Sequence, residues 1–388
     1  MKHQGFLSTS DKPHYENVPF EVPSSWVWTT LGEIFTLQAG KNITAKDIYT
    51  EKSEEYKYPC FGGNGIRGYV AISNKIGEYP IIGRQGALCG NINLAHGSFY
   101  ATEHAVVVER YCDTDLMWGY YTLIALNLNQ YATATAQPGL AVNVINDVAI
   151  PLPPLHEQQR ISKSIKILFS FLDAIECEKL YLKTAISQTK TKVLDLAIHG
   201  RLVPQDPTDE PATELLKRIN PKAEITCDNG HYQKLPKGWC ETILKHVITI
   251  KSGYPINVRN CMQGHYPIYG GNGITGYTVD HNIKEPTIVV GRVGFYCGSV
   301  YLVKEKAWVS DNAFTITIHK DIFYKKYLYY LIQFLNLRKY SNSTAQPVIS
   351  GKTIYPIHVI IPPINEQHRI VSQIEEIFAQ LDAIEASL

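Results

Sequence analysis

Gly63, Gly65 and Gly68 in "FGGNGIRGY" (residues 61–69) stand at the G-x-G-x-x-G spacing that lets a backbone approach a pyrophosphate, the chemistry of dinucleotide-cofactor binding. Gly271, Gly273 and Gly276 repeat the spacing in "YGGNGITGY" (269–277). A dinucleotide loop needs a strand before it and a helix directly after it, because the helix amino terminus holds the phosphates. Here "YVAISN" and "YTVDHN" come next, and both read as strand. The expectation is therefore a tight turn between strands, in which Asn-Gly supplies the positive φ such turns require.

Other catalytic signatures are absent from the sequence. It has no G-x-x-x-x-G-K-[ST] loop, no G-x-S-x-G elbow, no H-E-x-x-H and no adenine-methyltransferase tetrapeptide of the N/D-P-P-Y/F type. Eight cysteines form no C-x-x-C pair and thirteen histidines no H-x-x-x-H pair, so neither a zinc ribbon nor a redox dithiol is expected, and nearly all the cysteines read as reduced packing residues. With 45% hydrophobic and 19% charged residues the composition is that of a globular protein. No apolar run approaches the roughly 18 residues that span a bilayer, and residues 1–18 lack a secretory core, so a cytoplasmic protein with no membrane partner is expected. A net charge of +1 gives no global nucleic-acid footprint, so any basic surface is local or comes from a partner.

The elements that position the glycines occur twice. Trp26 and Trp239 lie 213 residues apart, Gly83-Arg84 and Gly291-Arg292 lie 208 apart, and "PPLHEQQRI" (153–161) and "PPINEQHRI" (362–370) lie 209 apart. "TATAQPGL" (133–140) matches "NSTAQPVI" (342–349), and "LDAIE" recurs verbatim at 172–176 and 381–385. The chain is two copies of one α/β (α+β) module, in which β-branched runs alternate with helical "LMWGYYTLIALNL" and "YKKYLYYLIQFLNL".

After each Pro-Pro stop a heptad seam begins. Ile161, Ile165, Leu168, Leu172, Ile175, Leu182, Ile186, Val193 and Leu196 step by 3 and 4, with Lys179 and Thr189 in the vacant core positions. The second copy keeps the register at Ile370, Ile374, Ile377, Leu381 and Ile384. A helix over 155–199 spans about 67 Å, too long for one face of a small domain. The expected partner of each helix is the other, in an antiparallel coiled coil that holds two similar globules apart. The expected boundaries are a first domain at 1–153 with an arm at 1–20, a spacer helix at 154–199, a linker at 200–235, a second domain at 236–361 and a second spacer helix at 362–388.

"FGGNGIRGY", "AQPGLAVNVINDVAIPLPPLHEQQRI", "GRLVPQDPTDEPATELLKRI" and "IIPPINEQHRI" together resemble the DNA-specificity subunit of type I restriction-modification enzymes, in order and spacing, from about Pro19 onward. The resemblance implies two target-recognition domains related by a pseudo-twofold, each reading half of a bipartite asymmetric target in double-stranded DNA, with the helices as a ruler and dock. It implies no catalysis by this chain. Methylation and cleavage would belong to DNA-methyltransferase (modification) subunits and a restriction/translocase subunit. S-adenosylmethionine, ATP and magnesium are expected only in those partners and no cofactor in this chain, while partners would supply part of the phosphate contact. A nucleotide-cofactor-dependent enzyme using the repeated G-x-G-x-x-G stretches, the specificity subunit of a related non-type-I methyltransferase system and a pure coiled-coil scaffold are the other readings. Family members usually continue past the point equivalent to Leu388, so either residues 1–20 cover the far end of the first helix or that end is short.

Candidate base-reading side chains are Lys41, Arg67, Arg84, Gln85 and Gln137 in the first domain, and Lys251, Tyr254, Arg259, Arg292 and Gln346 in the second. Arginine can grip guanine and glutamine adenine in bidentate fashion. Arg84 and Arg292 recur in both copies although two half-sites should differ, so a turn-bracing or phosphate role is the stronger expectation, and Gln137 and Gln346 carry the same ambiguity. Positions that differ, such as Arg67 against Thr275, are better candidates for letter-specific contacts.

Overall fold

The computed structural model describes residues 20–86, 88–111, 113–133, 138–221, 235–257, 264–319, 322–342 and 347–388. Gln137, Arg259, Gln346 and nearly all of the amino-terminal arm lie outside them. Two compact units divide the chain, Met1–Ile175 and Glu176–Leu388.

The first unit runs β1 (Val27–Thr30), α1 (Leu31–Ile34), β2 (Phe35–Ala39), β3 (Tyr58–Gly62), β4 (Gly65–Val70), β5 (Lys75–Gly83), β6 (Ile92–Ala101), β7 (Ala105–Arg110), α2 (Leu116–Ala125), α3 (Val142–Asn146), β8 (Ala149–Leu152) and the start of α4 (Leu155–Ile198). Its main sheet has the order β2-β7-β5-β6-β3-β4, while β1 and β8 form a separate antiparallel pair. The long strand β6 lies antiparallel to β5 and parallel to β3, which brings the β3–β4 hairpin into the same sheet. "AVVV" in β7 is buried throughout, as a central strand covered on both faces requires. Leu31, Ile82, Val106, Trp118, Leu123 and Ile145 form the core under α2.

The second unit contains the end of α4, then α5 (Ala212–Ile219), β9 (Cys240–Ile243), β10 (Ile248–Ser252), β11 (Tyr266–Gly270), β12 (Gly273–Thr278), β13 (Thr287–Gly291), β14 (Val300–Val303), β15 (Trp308–Val309), β16 (Ala313–Ile318), α6 (Lys325–Leu335), α7 (Gly351–Ile354), β17 (His358–Ile361) and α8 (Ile364–Ala386). The sheets read β10-β16-β13-β14 and β12-β11-β15. This is the first unit's order with the counterpart of β6 broken into β14 and β15, across the lysine-bearing "KEKA". The linker segment α5 is docked on this unit, with Ala212 and Leu216 buried and the Ala212 N–H donating to the Gly238 carbonyl.

α4 is one 44-residue helix, about 66 Å long. Within the second unit its carboxyl-terminal part runs antiparallel to α8. Lys190 bonds Asp382 and Glu385, whereas Gln205, just past α4, bonds Glu366 in the first turn of α8. Ile186, Val193, Ile370 and Ile374 are buried, and Leu196, Ile377 and Leu381 half-buried. In the first unit Ile161 packs on the core and Ile165 is half-buried. The expected seam fails at Leu168, Leu172, Ile175 and Leu182, which are 61%, 54%, 62% and 38% exposed, and Ile384 is also exposed. The last turn of α8 is bonded to Lys190, and every residue from 166 to 184 is exposed.

The start of α8 is held by a buried polar cluster. The Trp239 indole donates to Glu366 at 2.9 Å, Gln205 donates to the same carboxylate, and Arg369 pairs with Asp209 at 2.5 Å. Burial raises the Glu366 carboxyl above its usual range, against the lowering pull of Trp239, Gln205 and Arg369. The folded chain therefore holds this proton more tightly than the unfolded chain. The stability so gained is complete below the ordinary carboxylate pKa and is lost as pH rises through the folded value. Glu366→Gln removes the titration while still accepting from Trp239. In thermal melts its stability relative to the parent should rise as pH climbs above the ordinary carboxylate range, and a difference independent of pH would count against this assignment.

Candidate nucleic-acid interface

The repeated glycines close one rim of each sheet. In the first unit Gly62 and Gly65 pair across the β3–β4 hairpin, whose turn packs on the turn after β5. A Cβ at Gly83 would collide with the Gly63 carbonyl, and one at Gly63 with the Gln85 carbonyl, so only glycine permits this approach. In the second unit Gly291 meets the Gly271 carbonyl in the same way, and a Cβ at Gly271 would lie 2.6 Å from the Val293 carbonyl oxygen. The positive φ falls on Gly65 (88°) and Gly273 (76°) and not on the preceding asparagine. Strands β4 and β12 come directly after the turns, so no helix amino terminus follows them and the strand–turn–helix geometry of a pyrophosphate loop is missing there.

A second turn completes each rim. Residues 101–105 accept from the Lys41 N–H, donate to the Phe61 carbonyl through Thr102, and receive the Arg84 N–H at His104. Asn74 clamps Ala101 with both ends of its amide, at 2.8 Å each way. The second unit repeats every bond. The Tyr254 N–H donates to Val309, Ser310 donates to Tyr269, Arg292 donates to Asn312, and Asn282 clamps Val309 at 2.8 Å each way.

The backbone of the rim is thus the same twice, and its outward side chains differ. Lys41 occupies the place of Tyr254, Arg67 that of Thr275 and Gln85 that of Val293. Lys41, Arg67 and Gln85 are exposed, and Tyr254 is 64% exposed. The Arg67 side chain lies across Gly62, where any Cβ would displace it.

Arg84 and Arg292 behave otherwise. The Arg84 Nε donates to the Leu140 carbonyl at 3.3 Å, while its backbone accepts from Leu140 N–H, so the residue ties β5 to the 138–141 segment. Arg292 accepts from Ile349 N–H in the same place, reaches Ser252 at 3.2 Å and stacks 5.5 Å from the Phe314 ring centroid. Lys251 does not join the rim. It lies on the sheet face in a groove of about 880 Å³ with Thr315, Thr317, Lys325 and His368.

Burial pushes the Cys60 thiol, beneath the first rim, up to about 11 against the opposing pull of Arg67, so it is an inert thiol. Among the described residues no cluster of His, Cys, Asp or Glu is placed to hold a metal ion, and no helix is long and apolar enough to cross a membrane.

Two duplicated pairs of polar residues escaped the motif reading. Asn74 and Asn282 position the rim turn. Gln158 and Gln367, in the repeated "EQ" after Pro-Pro, join each long helix to its globule. Gln158 accepts from Asp115 N–H and donates to the Pro153 carbonyl, both at 2.9 Å. Gln367 accepts from Tyr324 N–H at 2.8 Å and donates to the Ile322 and Pro362 carbonyls. Their recurrence at the repeat offset was the available signal.

A family model described as "Type I restriction modification DNA specificity domain" matches residues 23–188 and again 236–388. The chain belongs to that family. Over 167 residues it is 43% identical to the type I restriction enzyme EcoprrI specificity subunit of Escherichia coli, a match spanning 43% of this chain and 41% of that relative. The chain therefore spans less than half the length of that relative. The EcoDI specificity subunit, also of Escherichia coli, is 22% identical across 94% of this chain and 84% of its own. Among solved structures, a chain from work on complex assembly and conformational transition of the type I R-M system aligns with a TM-score of 0.63 at 17% identity, covering 95% of this chain and 94% of that one. The HsdS subunit from Thermoanaerobacter tengcongensis aligns at 0.54 and 16% identity, covering 95% and 93%. Type I specificity chains thus share this fold.

Proposed function

We propose that each unit of this type I specificity chain reads one half of a bipartite, asymmetric DNA sequence with the outward side chains of its rim. The observation that carries this is the duplicated rim, with one backbone and different side chains, which is what two readers of different letters require. Phosphate contacts position such a domain, and base-edge contacts in the major groove specify the sequence. The long helices set the spacing of the two halves and dock modification subunits along the exposed 166–184 stretch. Methylation and cleavage are performed by modification and restriction subunits, which carry S-adenosylmethionine, ATP and magnesium, and this chain contributes specificity without catalysis, in the cytoplasm. Methylome sequencing of a host expressing the chain with its modification subunit tests the reading. A two-part methylated motif with a fixed gap supports it, and methylation without a defined motif overturns it.

On this reading the two arginines differ in role. Arg67→Thr, the residue of the second copy, should shift base preference at one position by about 1–3 kcal/mol in competition binding. Arg84→Ala should lower thermal stability by about 1–3 kcal/mol and leave the preference intact. Equal effects of both on sequence preference would contradict the assignment.

A further inference from the structure

The second unit carries a rigid loop beside its rim. The segment from Gly291 to Ser299 folds back on itself through backbone bonds from Gly291 N–H to Ser299, Gly298 N–H to Gly291, Cys297 N–H to Gly294 and Ser299 N–H to Tyr296. Gly294 N–H is further tied to the Pro347 carbonyl. At the tip of this fixed loop stand Phe295, 67% exposed, and Tyr296, 49% exposed, packed edge to face with centroids 5.1 Å apart. Gly294, at φ +91°, leaves open space beside them. The Arg338 guanidinium lies 4.6 Å from the Phe295 centroid, on a segment that backs directly onto Gly298.

We propose that Phe295 and Tyr296 form an apolar wedge that stacks against nucleobases in the half-site read by the second unit, with Arg338 and Lys339 holding the adjoining phosphates. The inference rests on the DNA-reading function proposed above and adds contacts to it. Charge selects a nucleic acid over a protein surface as the occupant. No acidic residue occurs in 286–304 or 322–342, the two segments that build the tip and its backing, and both Arg338 and Lys339 are exposed. Aromatic rings at a rigid tip flanked by cations match the requirements of base stacking, in which ring faces meet bases while cations follow the backbone. The first unit differs at the equivalent place. It exposes Leu88 in this turn and carries Glu78, Asp113 and Asp115 in the corresponding segments, so an aromatic wedge belongs to the second half-site alone.

The test uses the full chain with its modification subunit and a duplex bearing the methylated motif, substituted singly with 5-iodouracil along the second half-site. Irradiation and then peptide mass spectrometry should place crosslinks on Phe295 or Tyr296. Phe295→Ala with Tyr296→Ala should weaken binding of the motif roughly 5- to 100-fold, whereas Phe295→Trp should retain it. The melting temperature of each variant shows whether the loop still folds. Sequence-selective binding with crosslinks confined to other residues and unchanged affinity in the double variant overturns the wedge and leaves the DNA-reading function standing. Loss of the modification subunit by the double variant, with DNA affinity of the chain unchanged, assigns the tip to a protein partner and also overturns it. Absence of sequence-selective binding by the unsubstituted complex overturns the underlying function instead.

Discussion

Deleting residues 168–174 from α4 should abolish methylation at the original spacing while leaving the half-site letters unchanged. All seven residues are exposed, so the deletion removes no core side chain and no buried hydrogen bond. Seven residues are nearly two helical turns, which shortens α4 by about 10 Å and rotates the remainder of the helix by only about 20°. A base-pair step is about 3.4 Å, so the change corresponds to roughly three steps. Misplacement by about 1 Å can cost an enzyme complex about 100-fold, and the loss at the original spacing should be at least that large. Methylome sequencing measures it directly. Methylation at the original gap and an unchanged rate would show that the helix does not measure DNA.

Gln367→Leu should lower the melting temperature of the second unit by on the order of 10 °C. The leucine has similar volume, so no cavity opens. It leaves the buried Ile322 and Pro362 carbonyls and the part-buried Tyr324 N–H without the partner that now satisfies them. An unsatisfied buried group costs about 1–3 kcal/mol, so three together should cost about 3 kcal/mol or more. At about 2–4 °C per kcal/mol for a unit of this size, the shift is well above measurement error. Gln158→Leu should act similarly on the first unit, where two groups lose their partner. Gln159→Leu, one position along and exposed, is the control and should change little. If Gln367→Leu melts no lower than Gln159→Leu, the clamp does not join helix to globule.

Much of this architecture was legible because duplication converts weak local signals into strong ones. A single G-x-G-x-x-G suggests a cofactor loop, yet two copies that both run into β-branched residues point to a hairpin, as β3–β4 and β11–β12 show. The heptad pattern located α4 and α8, but periodicity reports which face is apolar and not what covers it. That is why Leu168, Leu172 and Ile175 read as core and stand exposed. At the rim, comparison of the copies separated Arg67, which varies, from Arg84, which recurs and is bonded to Leu140. Lys251 stands among the candidate base readers as an exposed-type cation near Tyr254 in the sequence, which says nothing of the face it takes. Strand alternation turns it instead onto the sheet face. Gln158 and Gln367 were illegible for a different reason, since glutamine in the first turn of a helix is ordinarily solvated and only the tertiary fold buries it.

The proposed function has each unit reading its own half of the target. Exchanging residues 1–153 for the corresponding stretch of another family member, then sequencing the methylome of the host, measures this most directly. A new sequence should appear in one half of the methylated motif and the other half should stay unchanged. A change in both halves, or in neither, would contradict this function.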